Sequence, residues 1–155
     1  MVRSRRLAAA LGLLAVLALG SGSVAADSSG HGGKITDTTL TGIPVANQAL
    51  LGVPGGGRPW TLVRGDAKLW ADGWLDVKVH GLLLGTGGTN EGTNPVTLGR
   101  AIVVCNGVDK VQSGTVPFSA DGDARVMAQL NLPSPCLAPV IFFGSAGGSW
   151  FAVSG

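Results

Sequence analysis

Few residues of this chain could carry acid-base or nucleophilic chemistry. It contains nine acidic residues, no tyrosine and two histidines, His31 and His80. An enzyme needs a nucleophile with a base, paired carboxylates or a metal, held together in a cleft. The best candidates are Asp76 and His80, which would need a distant Ser or Asp to complete a site. No G-x-S-x-G, H-E-x-x-H or P-loop motif is present. We therefore predict a non-catalytic binding or structural module at the cell exterior, with a small extracellular hydrolase around His80 as the alternative.

The acidic and glycine-rich stretches do not indicate a metal or a cofactor. Four aspartates could supply oxygen ligands for calcium, but Asp-Gly turns account for most of them. The loop 85–92 is a poor phosphate cradle, because no lysine follows it and no helix begins there. We predict neither a cofactor nor a metal. The four aspartates are Asp72, Asp76, Asp121 and Asp123.

Two tryptophans, Trp70 and Trp74, are the candidate ligand-binding residues. Both are predicted on the solvent face of a hairpin, where two indoles could stack on sugar rings or fill a partner's pocket. Asn90 and Asn94, in the loop 85–95, are predicted to extend this surface. The expected partner is a polysaccharide, the cell wall or an extracellular protein. The alternative is a structural pair that stiffens the hairpin or is covered by segment 38–53.

The register of this hairpin follows from its pattern of apolar residues. A three-residue loop, 71–73, with Gly73 in the left-handed conformation places Trp70 opposite Trp74 and Leu69 opposite Leu75. A two-residue turn would set Leu69 against Asp76 and mix the core and solvent faces, which is costly in a strand of period two. The residues predicted to face the core are Val63, Ala67, Leu69, Leu75, Val77 and Val79.

The tripeptide Arg64-Gly65-Asp66 is the sequence that cell-adhesion receptors bind at the tip of a mobile loop. The predicted register instead places it in the middle of a strand, with Gly65 facing the core. Arg64 then lies opposite His80 and Asp66 opposite Lys78, as ordinary cross-strand partners. We interpret the tripeptide as an ordinary part of the hairpin, with its charged residues in cross-strand pairs, and not as an adhesion site.

The rest of the chain has the pattern of an all-β protein. Short apolar runs alternate with turn residues every eight to twelve positions, and no 3.6-residue period is sustained. Asn106-Gly107 is a strong hairpin signal, and Ile102–Val104 predicts a strand buried on both faces. We predict seven or eight antiparallel strands in a two-layer sandwich, immunoglobulin-like in architecture.

The N-terminus predicts export. Three arginines, an apolar run and small residues ending at Ala26 are typical of a secretory signal peptide, residues 1–26. Its removal takes three of the eleven basic residues and none of the nine acidic ones, so eight minus nine leaves a net charge of −1. No basic surface then indicates nucleic acid, and no membrane anchor is expected in the mature form. Residues 27–37 are predicted to be a flexible leader and residues 38–155 a single domain.

Cys105 and Cys136 are the two cysteines of the chain. In an exported protein such a pair is expected to form a structural disulfide. The Cys-x-x-Cys spacing typical of redox-active pairs is absent.

A resemblance rests on five sequence runs, which cover roughly residues 58–155: VVCNG, VPFS, GDAR, LPSPCLAP and FFGSAGGSWFAVSG. In these runs the chain resembles an uncharacterised family of small secreted bacterial proteins. The resemblance implies export and a cysteine pair at Cys105 and Cys136. It implies no activity, cofactor or catalytic residue.

Overall fold

The computed structural model describes residues 30–155, which form only β-strands, turns and loops. No helix in this range is long and apolar enough to cross a membrane. The predicted signal peptide, residues 1–26, lies outside the described residues. The strands are β1 Lys34–Gly42, β2 Trp60–Thr61, β3 Arg64–Trp70, β4 Trp74–His80, β5 Leu83–Leu84, β6 Leu98–Cys105, β7 Asp109–Gln112, β8 Val116–Pro117, β9 Ala124–Gln129, β10 Val140–Ser145 and β11 Trp150–Ser154.

Nine of these strands belong to one curled antiparallel sheet that resembles half of a barrel. Its order is β7-β6-β10-β11-β1-β3-β4-β9, and β8 pairs with β6 outside this path. Strands β2 and β5 form a separate two-stranded sheet. The all-β prediction is confirmed, but the two-layer, immunoglobulin-like sandwich is not, because one strand joins what would be two layers.

That strand is β1, which changes partner along its length. Residues 34–39 pair with β3, and residues 40–42 pair with β11. Segment 34–37 of the predicted flexible leader is therefore part of the sheet, and the leader prediction is corrected there. Residues 38–42 also belong to β1, which lies between β11 and β3 in the sheet, with residues 38–39 paired to β3 and residues 40–42 paired to β11.

The register of the β3–β4 hairpin is confirmed. Leu69 pairs with Leu75 and Ala67 with Val77, and Gly73 has a positive φ of 89°. Of the six predicted core residues only Val63 is wrong. It precedes β3 and is 76% exposed, because the strand begins at Arg64.

The Arg-Gly-Asp tripeptide lies inside β3, as predicted. Gly65 is buried, and a Cβ atom on it would lie 2.7 Å from the Cβ of Leu40 in β1. Arg64 faces His80 and Asp66 faces Lys78 across the ladder. The Nε of Arg64, however, donates to Asp66 Oδ2 at 2.9 Å, so the ion pair runs along the strand.

The buried apolar side chains form one cluster to which both sheets contribute. Residues 101–105 of β6 are all buried, which confirms a strand enclosed on both faces. The Trp60 ring stacks on Phe151 at 4.1 Å, and Phe118 packs edge-on against Phe143 at 5.2 Å. Aromatic contacts of this kind add stability beyond the area that they bury.

The predicted disulfide is confirmed and ties the end of β6 to the segment before β10. Cys105 and Cys136 are bonded, with their Cα atoms 4.9 Å apart. Asn106 follows at positive φ, and its side chain accepts from the Leu137 N–H at 3.0 Å and donates to the Pro135 carbonyl at 3.1 Å. The Asn106-Gly107 turn thus joins β6 to β7 and also holds the chain beside the disulfide.

We expect Gly73→Ala to destabilise the protein by about 1–3 kcal/mol from backbone strain, because alanine tolerates a positive φ poorly. The added Cβ would also overlap the carbonyl oxygen of Leu130. Gly114→Ala is the matched control, since that position is open and its φ is not positive. It should change stability by less than about 0.5 kcal/mol. Urea unfolding midpoints measure both variants, and equal midpoints would contradict the proposed role of Gly73.

Candidate functional site

Trp70 and Trp74 flank the β3–β4 turn but are not equally accessible. Trp70 ends β3 and is 7% exposed, whereas Trp74 begins β4 and is half-buried. The prediction that both indoles are exposed is therefore wrong for Trp70. Alternation along a strand assigned it to the outer face of the sheet, but other residues of the chain cover that face here.

The cover comes from the residues just before β1. The imidazole of His31 stacks on the Trp74 ring, with centroids 4.8 Å apart and an interplanar angle of 7°. The same ring lies 5.7 Å from Trp70, and Lys34 Nζ lies 5.8 Å from the Trp70 ring centroid. The predicted covering segment, 38–53, is thus replaced by 31–34. His31 was predicted to lie in a flexible leader, but its ring contacts both tryptophans.

Asp72, at the tip of the turn, fixes the edge of the imidazole. Its Oδ2 lies 2.9 Å from His31 Nδ1, and its Oδ1 accepts the Trp74 N–H at 3.0 Å. The Trp74 backbone N–H, and then His31, lower the pKa of the Asp72 carboxyl below its usual value. The Ala71 N–H also donates to the Gly33 carbonyl at 2.9 Å. We call Trp70, Asp72 and Trp74 the tryptophan site.

The end of β9 holds the turn in place. The Leu130 N–H donates to the Gly73 carbonyl at 2.9 Å, and the Gln129 side chain donates to the Asp72 carbonyl. Gly73 N–H in turn donates to the Trp70 carbonyl at 3.0 Å. Asp72 and Trp74 therefore sit on a rigid support, as a preformed recognition site requires.

One polar group of the site is unsatisfied. The Nε1 of Trp70 is buried and has no hydrogen-bond partner among residues 30–155. An indole N–H of this kind costs about 1–3 kcal/mol, the desolvation penalty of a buried donor without an acceptor. The burial of the Trp70 indole beneath the residues before β1 thus carries a local energetic cost.

The tryptophan site can hold a flat ring that has a polar edge. The half-buried Trp74 offers an aromatic face, and the Asp72 carboxylate lies where it can accept a hydrogen bond from the edge of that ring. His31 meets both requirements. Sequence reasoning identified the tryptophans but missed Asp72 as part of the site and His31 as its occupant, since their contact spans 41 residues of sequence.

The structure does not bring Asn90 and Asn94 to the tryptophans. The loop 85–95 follows the far end of β4, and seven extended residues span roughly 20 Å. The side chain of Asn94 is used within the protein, donating to the carbonyls of Val96 and Ser119 at 2.9 and 2.7 Å. Asn90 is exposed, and its carbonyl accepts from the Thr93 hydroxyl at 2.6 Å. The predicted joint surface of tryptophans and loop is therefore not formed.

A second candidate site lies on the outer face near the other end of β4. His80 Nδ1 is 2.8 Å from Asp123 Oδ1, which also accepts the Gly81 N–H at 3.0 Å. The two side chains are 60% and 48% exposed and line an open cavity of about 610 Å³. Asp76, the predicted partner of His80, instead receives two hydrogen bonds from Arg125, at 3.0 and 2.9 Å. The other lining residues include Arg64, Asp66, Lys78 and Arg125.

Within residues 30–155, no three His, Cys, Asp or Glu side chains are grouped so that they could hold a metal ion.

Comparison of the chain with family models, with curated proteins and with solved structures gives no match. The family resemblance described above therefore stays a prediction.

The lowered pKa of Asp72 predicts how the site responds to acid. A carboxyl group whose pKa is lower in the folded state stabilises the fold at pH values above its unfolded-state pKa. That stabilisation is lost as the pH falls through its folded-state pKa. We expect the Asp72 carboxyl to titrate below the ordinary value of 3.8, and the turn contacts to weaken only in that acidic range. Carbon-detected NMR titration of the aspartates measures this. Titration of Asp72 at or above 3.8 would contradict the geometry.

Proposed function

We propose that the protein is an exported, non-catalytic binding module that recognises a polysaccharide, such as cell-wall material, through Trp74 and Asp72. The single observation that supports this most directly is the His31 ring, which lies parallel to Trp74 with its edge at the Asp72 carboxylate. The site therefore holds a ring that lies on Trp74 with a polar group at its edge, an arrangement that the C–H face and the hydroxyl edge of a sugar ring can also adopt. This proposal replaces the exposed tryptophan pair with one tryptophan and one carboxylate.

A sugar ring has the chemistry that the site offers. One face of a pyranose presents C–H groups, which pack on an indole, and its edge presents hydroxyl groups. An ionised carboxylate accepts such hydroxyls, and hydrogen bonds to a charged acceptor are about twice as strong as neutral ones. The rigid support of the turn by β9 means that little conformational entropy is lost when Trp74 and Asp72 bind.

Export is part of the proposal and is supported by two features. The first 26 residues have the composition of a signal peptide. The disulfide between Cys105 and Cys136 is of the kind that persists in oxidising compartments.

The binding proposal is tested by pull-down on insoluble polysaccharides and cell-wall material. We expect Trp74→Ala and Asp72→Asn each to weaken binding at least about ten-fold, the effect of losing a stacking or charged contact of about 1.4 kcal/mol. Met127→Ala is the control, because Met127 is 57% exposed and lies opposite Asp76 on the same face of the sheet. Trp70→Ala is not suitable, since removal of a buried tryptophan costs about 3–5 kcal/mol of stability. Unchanged binding by a folded Trp74→Ala variant would refute the proposal.

A small extracellular hydrolase is the second candidate, and the contact between His80 and Asp123 favours it. A carboxylate on Nδ1 orients an imidazole and leaves Nε2 to act as a general base. The nearest serine hydroxyl in this network, Ser119 Oγ, accepts the Asp123 N–H at 3.0 Å. No hydrogen bond joins His80 to a serine within residues 30–155, so water would be the nucleophile.

Hydrolysis assays on polysaccharides and simple esters separate the two candidates. A binding module should release no product, and His80→Gln should then bind the pulled-down polysaccharide as tightly as the unaltered protein does. Product release that disappears in His80→Gln and persists in Trp74→Ala would establish the hydrolase instead.

A further inference from the structure

We propose that residues 30–33, the N-terminal strap, are an internal occupant of the tryptophan site, so that ligand binds only when His31 leaves. The proposal rests on the proposed function in one respect, that Trp74 and Asp72 contact the ligand. It adds that the protein regulates this site with its own chain.

The strap uses the same two groups that the ligand would use. His31 covers the Trp74 ring in parallel stacking at 4.8 Å, and its Nδ1 lies 2.9 Å from Asp72 Oδ2. A second ring cannot lie on the covered face of the indole with its edge at that carboxylate oxygen while the imidazole is present. Occupancy by His31 and by ligand is therefore mutually exclusive.

The strap precedes β1 and can leave without unpairing any strand of the sheet. His31 is flanked by Gly30, Gly32 and Gly33, and glycine loses more conformational freedom on ordering than any other residue. The backbone is tied by the hydrogen bond from the Ala71 N–H to the Gly33 carbonyl and by one from the Gly32 N–H to the Asp72 carboxylate. Pairing with β3 begins at Lys34, opposite Trp70, and the register shifts between Lys34 and Thr36. The junction of the strap and β1 is thus a natural hinge.

The buried indole of Trp70 also favours opening. Its N–H has no hydrogen-bond partner among residues 30–155, and the His31 ring lies against its own ring. When the strap leaves, part of the cover over Trp70 is removed, and water or a ligand hydroxyl can approach it. The hydrogen bond that Trp70 Nε1 lacks in the closed state would lower the free-energy cost of opening if it forms in the open state.

Competition of this kind has a simple quantitative consequence. The apparent affinity of a ligand equals its affinity for the open site multiplied by the fraction of molecules in which the site is open. If the strap is closed about nine-tenths of the time, its removal raises affinity about ten-fold.

The first test uses imidazole as the probe and does not depend on the natural ligand. In His31→Ala the vacated site should take up free imidazole, with saturable shifts of the Trp74 indole resonance in NMR spectra. We expect the unaltered protein to need at least about ten-fold more imidazole. The Trp74→Ala, His31→Ala double variant should give no saturable response, and His80→Ala, which lacks the other histidine, should behave like the unaltered protein. Equal responses of His31→Ala and the unaltered protein would overturn the strap proposal.

The second test measures polysaccharide pull-down with the same variants. The strap proposal expects His31→Ala to bind about ten-fold more tightly, and the proposed function expects Trp74→Ala to lose binding. Tighter imidazole binding without any polysaccharide binding would refute the proposed function and leave the strap established. Polysaccharide binding that depends on Trp74 but does not change in His31→Ala would refute the strap proposal and support the proposed function.

Discussion

Strand β1 is the one element that the two halves of the sheet share. Its first six residues pair with β3 and its last three with β11, so the hydrogen-bonded ladder continues from β7 to β9. Two glycines allow β1 to pass close to its neighbours, because a side chain on Gly65 would meet Leu40 and one on Gly42 would meet the Trp60 carbonyl. Without β1 the strands would form two sheets, each with a further unpaired edge exposed to other chains.

The same strand links the fold to the candidate site. The strap is the N-terminal extension of β1, and the pairing of Lys34 with Trp70 places His31 within reach of the β3–β4 turn. The turn is held from the other side by β9, through Leu130 and Gln129. A carboxylate and an indole held by β9 thus face a glycine-rich segment that lies outside the ladder of β1, and such support from the sheet is what a preformed site requires.

Local patterns were sufficient to predict some of these features. The β3–β4 register followed from period-two alternation and one glycine, and the buried run 102–104 followed from continuous hydrophobicity. The role of Lys34–Asp37 could not be predicted, because a short polar stretch between glycines joins a sheet only through pairing with a strand some thirty residues away. The burial of Trp70 was missed for a related reason. Alternation indicates which face of a sheet a side chain occupies, but not what covers that face.

The charged residues on the outer face of the hairpin also have a consequence for folding specificity. A shift of one residue between β3 and β4 would turn the core side chains outward, whereas a shift of two would keep every side chain on its own face. In the observed register Asp66 faces Lys78 and Lys68 faces Asp76. A shift of two in one direction would place Asp66 opposite Asp76, and in the other direction Lys68 opposite Lys78. Like charges directly opposite are destabilising. The Asp of the Arg-Gly-Asp tripeptide therefore helps to exclude the misaligned hairpins that hydrophobic burial alone would tolerate.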